Sequence, residues 1–156
     1  MADVTKKTKP TKKEYIYATG RRKEATARVR LYENVPADLL WGNVEIKKGE
    51  MYVNEMPIAQ YFSSESERHL YTEPLRITNA HQKNFAFTVK VTGGGHAGQL
   101  DALIAGISNA LNKLDREKFR PVLKKKGFLT RDARIRQRRK VGTGGKSRRA
   151  KQSPKR

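Results

Sequence analysis

Three glycines in the middle of the chain have a spacing that could bind a phosphate group. Gly93, Gly95 and Gly98 form the pattern Gly-x-Gly-x-x-Gly within the stretch VTGGGHAGQLDALI. Glycines let a backbone approach an anion closely, and a helix that begins behind them offers unpaired N–H groups. The same pattern occurs in dinucleotide-binding loops, between a strand and a helix. The stretch therefore predicts a phosphate contact, and the phosphate could belong to a cofactor or to a nucleic acid.

The elements that would position this loop are a strand before it and a helix after it. Residues 84–91 place four apolar side chains on one face, as a half-buried strand does: Phe85, Phe87, Val89 and Val91. Six apolar residues then recur at helical spacing and predict one amphipathic helix: Leu100, Leu103, Ile104, Ile107, Leu111 and Leu114.

The dinucleotide interpretation fails on the acid that it requires. That acid should end a second parallel strand, whereas Asp115 and Glu117 end the helix and start another. The chain has room for at most one strand–helix–strand unit, so we expect no dinucleotide cofactor. A phosphate of RNA would suit the same loop, with His96 and Gln99 as further RNA contacts. The structural alternative is a glycine-rich turn that binds no ligand.

The opposite face of the predicted helix is small and nearly neutral. It carries Ala102, Ala105, Gly106 and Asn109, with Lys113 at its edge. Small side chains allow another surface to approach closely, so this face predicts a second packed interface with protein or with a nucleic-acid backbone. An ordinary core helix that is buried on two sides explains the same pattern, and both alternatives stay open.

The remaining elements follow from alternation, turn residues and caps. Residues 23–32 alternate as a strand, and residues 44–53 predict a hairpin with Gly49 in its turn. Residues 57–62 predict a short helix with proline in its first turn, whereas residues 66–78 are ambiguous. Asp115 is expected to cap a helix that ends at Gly127, and Pro121 should kink that helix or mark its true start.

Other catalytic or metal-binding chemistry is not expected. GTGGKSRR resembles a phosphate loop, but Lys140 stands where that motif needs its first glycine. The three histidines lack metal-ligand spacing, and the chain has no cysteine. No nucleophile–base pair can be recognised. We therefore predict no enzyme activity, no metal, no cofactor and no small-molecule substrate.

The charge of the chain indicates a polyanionic partner. Lys and Arg number 35 against 15 Asp and Glu, a formal net charge of +20. Residues 131–156 hold twelve of these cations and one acid, and residues 1–13 hold five lysines and one acid. Such blocks cannot bury a core and are expected to stay disordered until an anion neutralises them. No run of 18 apolar residues and no secretory signal is found, so no membrane partner is expected.

Four stretches together resemble one family. They are ATGRRKEATARVRLY at 18–32, VNEMPIAQYF at 53–62, FTVKVTGGGHAGQLDALIAGISNAL at 87–111 and KKKGFLTRDARIRQRRKVG at 124–142, and the chain ends in Lys155-Arg156. In order and spacing they resemble the small-subunit ribosomal protein nine family, in its bacterial-type form, over residues 15–156. Asn54-Glu55 replaces the Asn-Gly that the family often has, which leaves the turn there open. Gln137 stands where an acid is common, and Ser153-Pro154 precedes the terminal pair in place of Phe-Ser.

The resemblance implies a fold and a place of action. The implied fold is α+β, a two-layer α/β sandwich with a left-handed βαβ crossover, followed by a long basic tail that is disordered until bound. Residues 1–13 would form a basic extension, 14–129 the globular RNA-binding domain and 130–156 the tail. The implied partners are ribosomal RNA and neighbouring proteins in the head of the small ribosomal subunit, in the cytoplasm, and the tRNA in the peptidyl site.

The resemblance also assigns contacts to positions. Ribosomal RNA would be bound by the arginines and lysine of TGRRK, by the glycine loop and by the basic run that follows: Arg21, Arg22, Lys23, Gly93, Gly94, Gly95, His96, Gly98, Gln99, Lys124, Lys125, Thr130, Arg131, Arg134, Arg136, Arg138, Arg139, Lys140, Lys146, Arg148 and Arg149. The anticodon stem-loop of the tRNA would be contacted by Lys155 and Arg156. A nucleotide-using enzyme, as in small-molecule kinases of related fold, and a nucleic-acid chaperone without a fixed site are the competing hypotheses.

Overall fold

A mixed β-sheet with helices on one side forms the body of the protein. The computed structural model describes residues 15–33, 40–42, 44–80, 85–143 and 145. Within them the chain forms, in order, β1 (Ile16–Arg22), β2 (Ala25–Tyr32), β3 (Leu40–Trp41), β4 (Val44–Glu45), β5 (Met51–Val53), β6 (Met56–Pro57), α1 (Ile58–Tyr61), α2 (Glu65–Ile77), β7 (Ala86–Thr92), α3 (His96–Leu114) and α4 (Arg116–Lys125).

The main sheet has the strand order β1-β2-β7-β5-β6. All neighbouring pairs in it are antiparallel except β5 and β7, which run parallel. Helix α3 packs on β1 and β2, and α2 and α4 pack against α3. The predicted mixture of α and β elements is therefore confirmed, and the sheet is mixed rather than the parallel sheet of a dinucleotide-binding fold.

The two central strands follow the alternation in the sequence. In β2 the side chains of Ala25, Ala27, Val29 and Leu31 are buried, whereas Arg28 and Arg30 are exposed. The predicted apolar face of β7 is likewise buried against the helices. Because period-two alternation puts one set of side chains on each face of a sheet, these strands were predictable from their residues alone.

The predicted hairpin over residues 44–53 is wrong in its pairing. Gly49 does lie in a turn, with φ at +81°. However, Val44–Glu45 pairs with Leu40–Trp41, whereas Met51–Val53 pairs in parallel with β7. A parallel partner that lies more than thirty residues away leaves no local signal, so the nearby apolar run was the obvious but incorrect choice.

The ambiguous stretch proves to be helix α2. Its start is fixed by a capping box, in which the Ser64 side chain accepts from the backbone and Glu67 reaches back to the Ser64 N–H. Tyr71 and Leu75 bury one face of the helix although Pro74 lies inside it. The following prediction, a helix capped by Asp115 and ended by Gly127, is confirmed: Asp115 accepts from the Lys118 N–H at 3.0 Å. That helix starts at Arg116 and not at Pro121.

The small face of α3 is part of the protein's own core. A Cβ at Gly20 in β1 would lie 2.0 Å from the Ala102 carbonyl oxygen and 2.4 Å from the Gly106 nitrogen. Two backbones therefore touch directly across this interface. Asn109 and Lys113 then donate hydrogen bonds to β1 carbonyls, at 3.1 Å from Thr19 O and 2.8 Å from Tyr17 O. The interpretation of this face as an interface for RNA or another protein is wrong, and the two-sided core helix is correct.

A strained two-residue turn joins β5 to β6. Asn54 and Glu55 both have positive φ, at 48° and 66°, between the paired residues Val53 and Met56. Such a turn suits glycine, and a glutamate in it is strained. Asn54 is compensated, because its side-chain amide donates to Val91 O at 3.1 Å and accepts from Val91 N–H at 2.9 Å. Glu55 makes no hydrogen bond or ion pair of this kind among the described residues.

Replacing Glu55 by glycine is expected to stabilise the protein by about 0.5–1 kcal/mol, because the relief of backbone strain exceeds the entropy that glycine adds to the unfolded chain. Urea unfolding of the full chain measures the change. Asn54→Gly is the matched control: it relieves the same kind of strain but loses both hydrogen bonds to Val91, so we expect a loss of about 1–2 kcal/mol. Equal effects of the two substitutions would contradict the assigned role of Asn54.

Candidate nucleic-acid interface

The glycine loop between β7 and α3 packs against the turn between β1 and β2. Gly93 and Gly94 have φ of +73° and +65°, and a Cβ would lie 2.5 Å from Glu24 O at Gly93 and 2.8 Å from Ala25 Cβ at Gly94. These two glycines therefore shape the loop. At Gly95, the residue before α3, a Cβ would meet no atom within 4 Å. Gly95 has no side chain, so the first N–H groups of α3 receive no side-chain cap from it.

Two polar residues of the loop are already engaged within the chain. Gln99 accepts from the Tyr61 hydroxyl at 2.8 Å and donates to Gly93 O at 3.1 Å. His96 lies with Nδ1 3.0 Å from Glu67 Oε1, and its ring is 5.0 Å from that of Phe62. Gln99 therefore fixes the loop to α1. The predicted RNA contacts of both side chains stay predictions, and in the free protein each side chain has an internal partner.

Arg22 joins the sheet to the start of the tail. Its guanidinium donates to the Arg134 carbonyl at 2.8 Å and lies 3.1 Å from Asp132 Oδ2. The same side chain lies 3.4 Å from Asp101 Oδ2 in α3 and is only 16% exposed. The tail therefore leaves the domain from a fixed point beside β1 and α3.

Asp132 also fixes the start of the tail. The contacts of Arg22 with Asp132 and Arg134 are called the joint below. Arg134 donates to both of its carboxylate oxygens, from Nε at 3.0 Å and from Nη2 at 2.7 Å, and its backbone N–H donates at 2.9 Å. These bonds to Arg134, with the charge of Arg22, hold the pKa of the Asp132 carboxyl well below its usual range. Asp132 in turn raises the pKa of Arg134.

Beyond this joint the described chain has no partner in the domain. From 133 to 142 every residue is exposed and none lies in a helix or strand. The predicted phosphate contacts in this segment are five cations: Arg134, Arg136, Arg138, Arg139 and Lys140. Apart from Arg134, none of them forms an ion pair among the described residues. Their charge is therefore available to an external anion.

The structure brings several of the predicted contacts together. Lys23 lies in the turn against the glycine loop, and Arg21, Thr130 and Arg131 line one cleft beside β1 and α3. Lys124 and Lys125 do not line this cleft and lie in the last turn of α4. Lys146, Arg148, Arg149, Lys155 and Arg156 are outside the described residues.

Sequence reasoning missed the two acids that organise the site. Asp101 and Asp132 each hold Arg22, although they lie 31 residues apart in the chain. The RD-x-R spacing is a weak local signal for the Asp132–Arg134 pair, since the two residues can pair in an extended segment. Nothing local indicates that Arg22 joins them, because that contact depends on the packing of β1 on α3.

The described residues show no sign of other site chemistry. They contain no group of three or more side chains suited to holding a metal ion. Within the same part of the chain, no helix has the length and apolar character needed to cross a membrane.

An α/β domain with an exposed and uncompensated cationic arm has the architecture of a protein that assembles with nucleic acid. Comparison with known proteins identifies the family. The sequence model of the family described as Ribosomal protein S9/S16 matches residues 20–156. One relative, the small ribosomal subunit protein uS9 of Leifsonia xyli subsp. xyli, is 43% identical over 139 residues, which is 89% of this chain and 74% of the relative.

The chain therefore belongs to the ribosomal protein S9 family and is a structural constituent of the small ribosomal subunit. The predicted family is confirmed. Nothing in the fold, the site or the family points to catalysis.

Proposed function

We propose that this protein binds ribosomal RNA in the head of the small subunit and extends its tail to the tRNA in the peptidyl site. The observation that carries the proposal is the segment 133–142, which is exposed throughout and carries five cations. A folded domain gains nothing from such a segment, whereas a phosphate backbone neutralises it and releases counterions. In a bacterial-type cell this places the protein on the cytoplasmic ribosome, beside neighbouring proteins of the subunit head.

The domain and the tail have different tasks in this proposal. Residues 14–129 form the globular domain, whose TGRRK turn and glycine loop meet the RNA backbone with Lys23 and the open N-terminus of α3. Residues 130–156 form the tail, which is the cationic arm described above, and residues 1–13 add a lysine-rich extension. Arginine predominates in the arm because its planar guanidinium binds phosphate with two hydrogen bonds and stacks on bases. Such contacts position the protein without reading base sequence.

The finer description of the fold belongs to the same proposal. The parallel pair of β5 and β7 is joined through α1 and α2. We infer the left-handed crossover of the family for this connection. We also infer that the tail is disordered in the free protein and becomes ordered on RNA, as basic segments with few apolar residues do.

Removing Lys155 and Arg156 is expected to weaken peptidyl-site tRNA binding about 10-fold while leaving assembly intact. Two charge-assisted contacts to the tRNA backbone are lost, and a 10-fold change corresponds to about 1.4 kcal/mol. The measurement is tRNA affinity on purified small subunits that contain the truncated chain.

The matched control removes two other tail cations, one lysine and one arginine, by Lys146→Gln and Arg148→Gln. It should leave tRNA affinity unchanged, because these residues are assigned to the path through ribosomal RNA. Unchanged tRNA affinity in the truncated chain, or equal losses in both variants, would overturn the tRNA contact. Loss of the truncated chain from subunits would instead place the terminal pair in assembly.

A further inference from the structure

The outward side of β1, β2 and β7 carries four cations, of which the proposed interface uses only Arg21. This surface, here called the open sheet face, extends from the row of Tyr17 to the row of Arg21 on the side of the sheet away from α3. Its cations are Arg21, Arg28, Arg30 and Lys90, all of them exposed. Beyond the row of Tyr17 the same side of the sheet is covered by an apolar cluster that includes Tyr32 and Ala86.

The arrangement of these charges is unfavourable for the protein alone. Arg28 lies directly opposite Lys90 in the antiparallel pair of β2 and β7. Like charges at that position repel across about 5 Å between their Cβ atoms. Arg30 follows Arg28 on the same face, about 7 Å along the strand. The three cations therefore form a compact group at the centre of the sheet.

Nothing in the described chain neutralises the group. The ion pairs among the described residues include none of Arg21, Arg28, Arg30 and Lys90. Arg30 has only an aromatic partner, with its guanidinium 5.0 Å from the ring centre of Tyr15. Between its cations the open sheet face presents Tyr17, Thr19, Thr26 and Thr92, and none of them is acidic. Thr88, opposite Arg30, is buried and is not part of this face.

Outside the described residues the chain has twelve lysines and arginines against three acids. Residues 1–14 carry five lysines against Asp3 and Glu14, and residues 34–39 carry a single charge, that of Asp38. The tail is more basic still. The counter-charge must therefore come from another molecule.

We propose that the open sheet face is a second RNA-binding surface, which holds a stretch of ribosomal RNA backbone along β2. This proposal rests on the assignment of the protein to the RNA of the small subunit and adds a surface to it. Arg28, Arg30 and Lys90 bind successive phosphates, and threonine hydroxyl groups donate to phosphate or ribose oxygens. Arg21 lies at the end of this face, in the same cross-strand row as Thr92, the residue before the glycine loop, so that the two surfaces adjoin.

The test compares two double variants of the full chain on small-subunit ribosomal RNA. Arg28→Gln with Lys90→Gln removes two cations from the open sheet face. Arg116→Gln with Lys118→Gln removes the same charge from α4, in the helical layer. For the first pair we expect affinity near 0.1 M salt to fall roughly 10- to 100-fold, and the slope of log affinity against log salt to become shallower by about 1.5–2.

The control pair should change affinity less than about 3-fold and leave the slope as in the wild type. Thermal unfolding of the first pair should show no loss of stability, since the substitutions remove a repulsion. A lower melting temperature would assign these cations a structural role and overturn the proposal. Equal effects of the two double variants would show that RNA affinity depends only on net charge, and would overturn the proposal.

A third result would point to a different partner. If the first pair binds naked RNA as the wild type does but is lost from assembled subunits, the face binds an acidic protein and the proposal is overturned. If the protein does not bind ribosomal RNA at all, the result is different again. The wild-type chain itself would then bind ribosomal RNA weakly, and its affinity would depend little on salt.

Discussion

Deleting residues 133–156 is expected to lower the affinity for small-subunit ribosomal RNA by about 10³-fold near 0.1 M salt, and to prevent stable incorporation into the subunit. The deletion removes eleven lysines and arginines but keeps Asp132, which pairs with Arg22. Each phosphate contact contributes roughly 0.7–0.9 to the slope of log affinity against log salt, so the slope should become shallower by several units. Filter binding or fluorescence over a salt series measures both quantities.

The stability of the domain should be almost unaffected by this deletion. The described residues from 133 to 142 are exposed and pack against nothing, apart from the pairing of Arg134 with Asp132 and Arg22. A matched control exchanges the two exposed apolar residues of the arm, by Ile135→Ser and Val141→Ser, which are 70% and 83% exposed. The control keeps every charge and should bind as the wild type does. An unchanged salt slope after the deletion would refute phosphate binding by the arm.

Replacing Gly20 by alanine is expected to destabilise the domain by at least about 3 kcal/mol, a large part of the roughly 5–15 kcal/mol that holds an ordinary domain together. The new Cβ would lie 2.0 Å from the Ala102 carbonyl oxygen and 2.4 Å from the Gly106 nitrogen. Both are backbone atoms, so no side-chain rotation relieves the clash, and β1 must move away from α3. Urea unfolding of the full chain measures the loss.

Gly98→Ala, in the first turn of α3, is the matched control for Gly20→Ala. Its Cβ would lie 3.7 Å from the nearest atoms, an ordinary contact, and α3 should gain about 0.5–1 kcal/mol from the better helix former. The two substitutions add the same methyl group and should have opposite signs. A Gly20→Ala protein within about 1 kcal/mol of the wild type would show that the close approach of β1 to α3 is not needed for stability.

The position of Gly20 has a consequence for the site. Displacing β1 from α3 would separate Arg22 from Asp101 and loosen the point from which the tail departs. RNA affinity should therefore fall in Gly20→Ala even where enough protein stays folded to measure it. Thus the small residues of β1 and α3 serve the interface indirectly, by holding the joint of the arm.

Local patterns in the sequence predicted those elements that bury one face against the rest of the domain. The alternation in β2 and in β7, the apolar stripe of α3 and the cap at Asp115 are local patterns, each formed by residues that lie close together in the sequence. Periodicity therefore reveals them without knowledge of the partner. Residues 66–78 have a weaker pattern, which did not distinguish a helix from other structure. The structure shows a helix there, started by the capping box at Ser64 and packed through the buried Tyr71.

The motif of the glycine loop predicted the backbone conformation of the loop but not the partners of its side chains. Its spacing predicted a close backbone approach, and Gly93 and Gly94 do require positive φ and contact with the turn at Ala25. The motif could not show that Gln99 is bonded to Tyr61, or that His96 lies against Glu67. Those partners come from α1 and α2, whose positions depend on the crossover between β5 and β7.

Composition, charge and motif order thus determined, from the sequence alone, the class of protein, its family and the polyanionic nature of its partner. These properties are sums over residues or local spacings, and folding does not alter them. Only the tertiary structure decided that the small face of α3 is core, that Arg22 is shared between Asp101 and Asp132, and that Arg28 faces Lys90 on an open sheet. Each of these is a contact between distant segments, set by strand register and by the close approach of two backbones, and no local pattern encodes it.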